Sequence, residues 1–196
     1  MIIGVTGNIG AGKSTVARIL KERLSAVLVD ADALGNHVRE TNSDIQRQII
    51  VAFGSDVTDE ERRLDRKKLA KFVFKDPARL TILNKIFFPV LTYEVRMEVM
   101  RAGRMFNYVI LDAALIVEWN MQSQVDHLVV VSAKKQVRIN RLTEYRRMLE
   151  DDAEERVAAQ GDDEFKKQFA NTVIDNNGTL NELEIEVDKF IESITK

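Results

Sequence analysis

The sequence has no cysteine, two prolines, two histidines and one tryptophan. Without thiols there are no disulfides and no thiolate metal centre, and the chain suits a reducing compartment. His37 and His127 stand far apart with no motif around either, and both read as ordinary side chains rather than metal ligands. Neither sign of charge dominates: 29 Lys and Arg face 31 Asp and Glu, for a net charge of −2. No global field therefore draws the chain to nucleic acid. No apolar run approaches the roughly 18 residues needed to span a bilayer. The opening "MIIGVTG" also lacks the basic start of a signal peptide. The expectation is a cytoplasmic protein with no nucleic-acid and no membrane partner. Neither a Ser/Gly-rich linker nor a repeat divides the 196 residues, which reads as one domain, 1–196.

Glycine is scarce too, but unevenly so. Of nine glycines, four fall in the stretch "GVTGNIGAGKST", Gly4 to Thr15, where Lys13 is the single charged side chain. The apolar run before it predicts a buried strand. After it, Val16, Ala17, Ile19, Leu20 and Leu24 share one helical face. Gly7 to Ser14 matches G-x-x-x-x-G-K-[ST] without a gap. The physics of a strand, a glycine loop and a helix explains each residue. Glycines permit backbone conformations closed to other residues. Successive N–H groups then face inward as an anion nest, and the helix adds its positive end. In this reading Gly7, Asn8, Ile9, Gly10, Ala11, Gly12, Lys13, Ser14 and Thr15 hold the phosphates of ATP. Lys13 acts as a mobile charge for the β- and γ-phosphates, and the Ser14 hydroxyl is a ligand for Mg²⁺. Charge is scarce because backbone amides do the binding.

Further strands are predicted at Ala26–Asp32, Tyr108–Glu118 and Asp126–Ala133, with a short one in "NTVIDNNG". Asp30 and Asp32 close the first of these, at a strand's carboxyl edge or as a helix cap. Asp112 follows an apolar run, as a Walker-B acid would. Between them the pattern is helical. One helix opens at Ser43 and ends at Gly54, another starts at Asp65 and buries Leu69, Phe72 and Val73, and a third starts with Asp76 and Pro77. Pro89 is expected to interrupt this third helix, with a further one running to Gly103. Residues 54–103 thus form a helical substrate-binding insertion free of strands. Residues 134–168 form lid helices in which Arg138, Arg141, Arg146 and Arg147 crowd together. They make either a solvated face or a lid over phosphates. At the C-terminal end, Thr179 caps an amphipathic helix whose apolar face runs from Leu180 through Leu183, Val187, Phe190 and Ile191 to Ile194. Strands alternating with helices predict an α/β fold with a five-stranded parallel sheet, a P-loop kinase core carrying a helical substrate region and a lid.

Taken in order, "GVTGNIGAGKSTV", "VDADALG", "LDRKKLAKFVF", "LDAALIVE" and "VIDNNG" make the chain resemble the dephospho-CoA kinase family across nearly its whole length. The resemblance implies ATP-dependent phosphorylation of the ribose 3′-hydroxyl of dephospho-CoA. Asp32 matches the family's proposed base and lies at the substrate, Arg66 matches a substrate-binding arginine, and Asn176 falls in the loop near the adenine of ATP. Arg138 and Arg141 become candidate catalytic arginines of the lid. The sequence departs from the family at Phe88-Pro89 in place of His-Pro, at Ala114 in place of proline, and at Ile139 in place of an arginine three residues after Gln136. Two rivals stay open: another small-molecule kinase on the same core, and a non-catalytic nucleotide-binding module.

Overall fold

In a computed structural model, which describes residues 1–73 and 76–195, five short apolar runs become five strands. They are β1 (Ile2–Thr6), β2 (Val27–Asp30), β3 (Val109–Asp112), β4 (His127–Ser132) and β5 (Thr172–Asp175). All are parallel, in the order β2-β3-β1-β4-β5. The inner strands of a parallel sheet are covered on both faces, so they are apolar throughout rather than alternating. Accordingly β3 is wholly buried, as is β4 from Leu128 to Val131.

Two helices supply one cover. Val16, Ala17, Ile19 and Leu20 of α1 (Lys13–Arg23) form one cluster with Leu183, Val187 and Phe190 of the C-terminal helix and with Ile3, Val5, Ile110, Val129, Val131 and Ile174 of the strands. On the other face Gly4 leaves room that Val125, Ile116 and Leu128 fill, since a Cβ there would lie 3.0–3.3 Å from their side chains.

Compactness divides the chain into two units, Met1–Ala31 with the chain from Met97 onward, and Asp32–Arg96. The first holds the whole sheet. The second is helical: α2 (Ala31–Thr41) enters it, followed by α3 (Ser43–Phe53), a 3₁₀ turn (Gly54–Val57), α4 (Arg66–Val73) and the first part of α5 (Pro77–Met105). Val38, Ile45, Ile49, Phe53, Val57, Leu69, Val73, Phe87, Leu91 and Val95 are its buried large apolar residues. Its helix starts are chemically marked. Asn42 accepts from the N–H groups of Asp44 and Ile45, Asp65 from those of Lys67 and Lys68, and Asp76 from that of Ala78.

Several expectations change. Pro89 does not end a helix: α5 runs through it for 29 residues. Proline removes one ladder donor, at a cost of about 3 kcal/mol in a helix interior. Here Pro89 is exposed, Phe87, Leu91 and Val95 bury the opposite side, and the Thr92 hydroxyl donates to the carbonyls of Phe88 and Pro89. The second strand stops at Asp30, and Asp32 lies in the first turn of α2, where a carboxylate complements the helix dipole. The third strand stops at Asp112 because the chain curls back, with the Trp119 N–H donating to Leu115 and that of Met121 to Ile116. Phe72 is only half-buried, set edge-on to Phe53 at 6.0 Å with Arg79 over its ring. Asn42 rather than Ser43 caps α3, and an isolated bridge joins Thr58 to Leu64. Phe74, the last residue of "LDRKKLAKFVF", lies outside the described residues.

From β4 the chain passes into α6 (Lys135–Arg146), α7 (Glu150–Gln160) and α8 (Glu164–Lys167), then β5 and α9 (Leu180–Thr195). The start of α9 is a capping box: Glu182 accepts from the Thr179 N–H at 2.7 Å, and Thr179 Oγ1 from the Glu182 N–H at 3.3 Å. Leu180, expected on the buried face, is half-exposed. Among the described residues no helix is long and apolar enough to cross a membrane.

Candidate active site

Parallel strands present their carboxyl ends on one edge, and the central strand β1 delivers the glycine loop there. Residues 7–12 turn through the Ala11 N–H bond to Asn8, and the Thr15 and Val16 N–H groups return to the Gly12 carbonyl as α1 begins. Gly12 sits at φ 94° as the N-cap of that helix. An L side chain is strained in this conformation, and a Cβ there would also run into the Asn176 amide nitrogen. Gly10, at φ 78°, lies so close to α6 that a Cβ would fall 2.7 Å from the Arg138 carbonyl. The N–H groups ahead of Thr15, at the very start of α1, have no intrahelical acceptor and lie at its positive end. Ser14 is exposed beside them and Thr15 is half-exposed.

The loop's one charge is held from the sheet. β3 neighbours β1 with Asp112 in register with Val5, so its carboxylate lies beside the loop and forms an ion pair with Lys13 Nζ. Asp112 is 4% exposed and Lys13 12%. On β2 the Asp30 position is in register with Asp112, and Asp30 is itself exposed. The chain beyond β3 is pinned through the Ala114 carbonyl, which accepts from Thr6 Oγ1 at 3.0 Å and from the buried Lys166 Nζ at 2.9 Å, and Lys166 pairs in turn with Glu118.

The loop is gripped from both flanks. On one, Asn176 is buried and donates its amide to the Ala11 carbonyl at 2.8 Å, while Arg141 reaches Asn176 Oδ1 at 3.1 Å and Ala11 at 3.5 Å. On the other, Arg138 is 4% exposed and donates to the carbonyls of Ile9 and Gly161 and to Gln160 Oε1. Burial pulls the Arg138 guanidinium down from its ordinary value, with Asp163 working against the shift. Gln160 Oε1 also accepts from the Ile9 N–H at 2.7 Å, and Asn8 donates to Gly161. The structure thus brings Arg138, Arg141 and Asn176 to the loop, whereas Arg146 is exposed at the end of α6 and Arg156 is exposed on α7. Gln160 and Lys166 escape sequence reasoning, since neither belongs to a motif and each is defined by partners far along the chain.

Beside this grip lies a cleft of about 630 Å³ between the ends of β4 and β5, the start of α6 and the α7–α8 connection. Lys134, Lys135, Asp162, Asp163 and Lys167 line it. Lys167 is pushed up to about 12 by its bonds to Glu164 and Asp163.

The helical unit has its own charged cluster. Arg66, at the start of α4, is exposed and holds Glu40 at 2.8 Å, which keeps that carboxyl below its usual range. Burial lowers the Arg39 guanidinium, as does repulsion from Arg66, while Asp32 and Glu40 oppose this. Arg39 lies 5.1 Å from the Phe87 ring centroid. Asp32, Arg39, Glu40 and Arg66 therefore share one electrostatic neighbourhood.

A phosphate loop on the central strand of a five-stranded parallel sheet, its lysine paired to an acid from the adjacent strand, defines a kinase of the P-loop class that uses a nucleotide. The solved structure of dephospho-CoA kinase from Campylobacter jejuni shares the fold at a TM-score of 0.70 and 23% identity, with 98% of this chain and 96% of that one covered. The family model for CoaE, dephospho-CoA kinase, matches residues 1–182. The dephospho-CoA kinase of Thermobifida fusca is 36% identical over 194 residues, 99% of this chain and 96% of its own length. That of Streptomyces avermitilis is 40% identical over 182 residues, 93% and 88% respectively. The chain belongs to the dephospho-CoA kinase family.

Proposed function

We propose that the protein transfers the γ-phosphoryl group of ATP to the ribose 3′-hydroxyl of dephospho-CoA, giving coenzyme A and ADP. The observation that carries this reading is the Lys13–Asp112 pair under an intact glycine loop, in a chain that the family model matches over residues 1–182. Phosphoryl transfer passes through a loose transition state, so the protein's task is to position groups and stabilise charge. The loop amides and the start of α1 receive the phosphates. Lys13 then exchanges its bond to Asp112 for the β- and γ-oxygens, where charge develops. Asp32, exposed in the first turn of α2, takes the proton of the attacking hydroxyl. Arg66 holds the acceptor's anionic part, and Asn176 lies toward the adenine.

The donor set also suits Mg²⁺, a hard cation that binds through one or two protein oxygens and substrate phosphates. Ser14 and Asp112 offer a hydroxyl and a carboxylate at the loop. Among the described residues no cluster of three or more His, Asp or Glu side chains forms a metal cage. When bound, held by the Ser14 hydroxyl and the Asp112 carboxylate, the ion would offset the negative charge of the phosphates. Residues 54–103 serve as the substrate region and 134–168 as a lid that excludes water, a competing acceptor. A chain without thiols suits a cytoplasmic setting, and the family supports a small-molecule substrate.

The test is incubation with ATP, Mg²⁺ and dephospho-CoA, followed by mass analysis. A product one phosphate heavier, with one ADP per product, is expected. Asp32→Asn should cost about 10²–10⁴-fold in turnover while nucleotide still binds. Folded protein that binds ATP and makes no coenzyme A defeats the reading, and a greater loss from Asp30→Asn than from Asp32→Asn reverses the assignment of the base.

A further inference from the structure

Arg138, a lid arginine beside the leading edge of the loop, is already fully engaged by the protein. Arg138 is 96% buried, and all three guanidinium nitrogens already have protein acceptors: Nε donates to the Ile9 carbonyl at 2.8 Å, while the two terminal nitrogens donate to the Gly161 carbonyl and to Gln160 Oε1, each at 3.4 Å. These acceptors lie on two separate pieces of chain, the leading edge of the phosphate loop and the C-terminal end of α7. Gln160 joins the same two pieces from its own side, because its Oε1 takes the Ile9 N–H at 2.7 Å. Asn8 adds a third link, to Gly161 at 3.3 Å. Both polar groups of the Ile9 peptide backbone, its N–H and its carbonyl, are thus bound by residues around 130–150 positions away.

We propose that Arg138 and Gln160 are positioning residues that bolt the Asn8–Ile9 edge of the phosphate loop to the end of α7, and that neither touches the transferring phosphoryl group. This rests on the phosphate-loop reading above, but not on the identity of the acceptor. The planar guanidinium suits the task because it presents several donors in a fixed fork, which a lysine does not. Gly10 suits it too, as the Arg138 backbone comes so close to the loop that any larger residue there would collide. The consequence is that the Asn8–Ile9 edge of the loop is held in shape by the end of α7. A nucleotide finds its amides already arrayed, so less of its binding energy is used in ordering them.

The experiment compares wild type with Arg138→Met, Gln160→Ala and the double variant. ATP affinity is measured without any acceptor, so that failure of the dephospho-CoA assignment leaves the test intact. Amide exchange is followed across residues 4–15, and steady-state constants are measured with dephospho-CoA. Removing a hydrogen bond to a charged group is worth about 10–100-fold. Each single variant should therefore weaken ATP binding by about tenfold or more and raise KM for ATP more than it lowers kcat. Exchange in the loop should rise in both. The double variant should bind little worse than the worse single one, because the two residues act on one contact. Gln160 is exposed, so Gln160→Ala folds even where Arg138→Met does not, and it carries the test alone if needed. The proposal is overturned if Arg138→Met drops kcat by roughly 10³–10⁵ with KM and loop exchange unchanged, which is the mark of a phosphoryl contact. It is equally overturned if Gln160→Ala matches wild type in affinity and exchange, or if the two losses simply add.

Discussion

Lys13 has two functions that mutation can separate. In the ligand-free chain its ammonium neutralises Asp112, a carboxylate 4% exposed at the end of β3. In the proposed reaction it would meet phosphate oxygens. Removing one partner of a buried pair strands the other, typically at about 3–5 kcal/mol. Lys13→Ala should therefore lose both stability and turnover. Adding Asp112→Asn removes the stranded charge, so the double variant should recover most of the melting temperature and none of the activity. Denaturant melts and the coenzyme A assay decide this; recovery of turnover together with stability would mean that Lys13 only balances Asp112. The loop itself is readable from residue identity and spacing, because its pattern is local. The phosphate loop, Lys13 and Ser14 announce themselves because glycines, a lysine and a hydroxyl must follow one another in order. The work of Arg138 was not readable, for its acceptors Ile9 and Gly161 lie 129 and 23 residues away and both are backbone carbonyls, which carry no sequence signal.

At the scale of elements the same division holds. Thr179 and Glu182 mark the start of α9 in four residues, and Asp76-Pro77 marks that of α5, so both starts are legible. That α5 continues through Pro89 is decided by burial of Phe87, Leu91 and Val95, a tertiary effect which outweighs a local penalty. The β4–β5 pair carries a testable element of its own. His127 opens β4, shares a 2.9 Å hydrogen bond with Thr172 Oγ1 on β5 and packs 4.9 Å from the Phe190 ring of α9. Burial lowers its pKa. The unfolded chain, with a histidine near its ordinary value of about 6.5, then binds a proton before the folded one does. This contribution to stability is complete above that value and falls away as pH drops below it, levelling off once the folded-state histidine is itself protonated. Thermal melts from pH 7.5 to 5.5 should show the decline, and His127→Gln should remove its part of it. An unchanged slope in the variant would place the acid sensitivity elsewhere.

Across the whole molecule, ligand linkage gives the broadest check. A nucleotide that binds only the folded state adds RT ln(1 + [L]/Kd), about 2.7 kcal/mol at a hundredfold excess over Kd. For a chain of this size that is a rise in Tm of roughly 5–10 °C. Saturating ATP with Mg²⁺ should produce it in wild type, and the Lys13→Ala/Asp112→Asn protein should show a much smaller rise. An equal rise in both would move the nucleotide away from the loop.

The place of β1 in the sheet has a further outcome. It is the first strand made and the central one, in register with Val109 through Ile2 and with His127 through Ile3. During synthesis an apolar strand must therefore wait for more than a hundred further residues before either neighbour exists. Each ladder is closed over a long span of chain, the kind of topology that folds slowly and leaves sticky segments open to chaperones. The residues that shape the glycine loop, Arg138, Gln160 and Asn176, come later still. The loop is thus without these partners on the nascent chain until Asn176 has been made, so a nucleotide that needs the finished loop would follow the folding of these segments rather than template it.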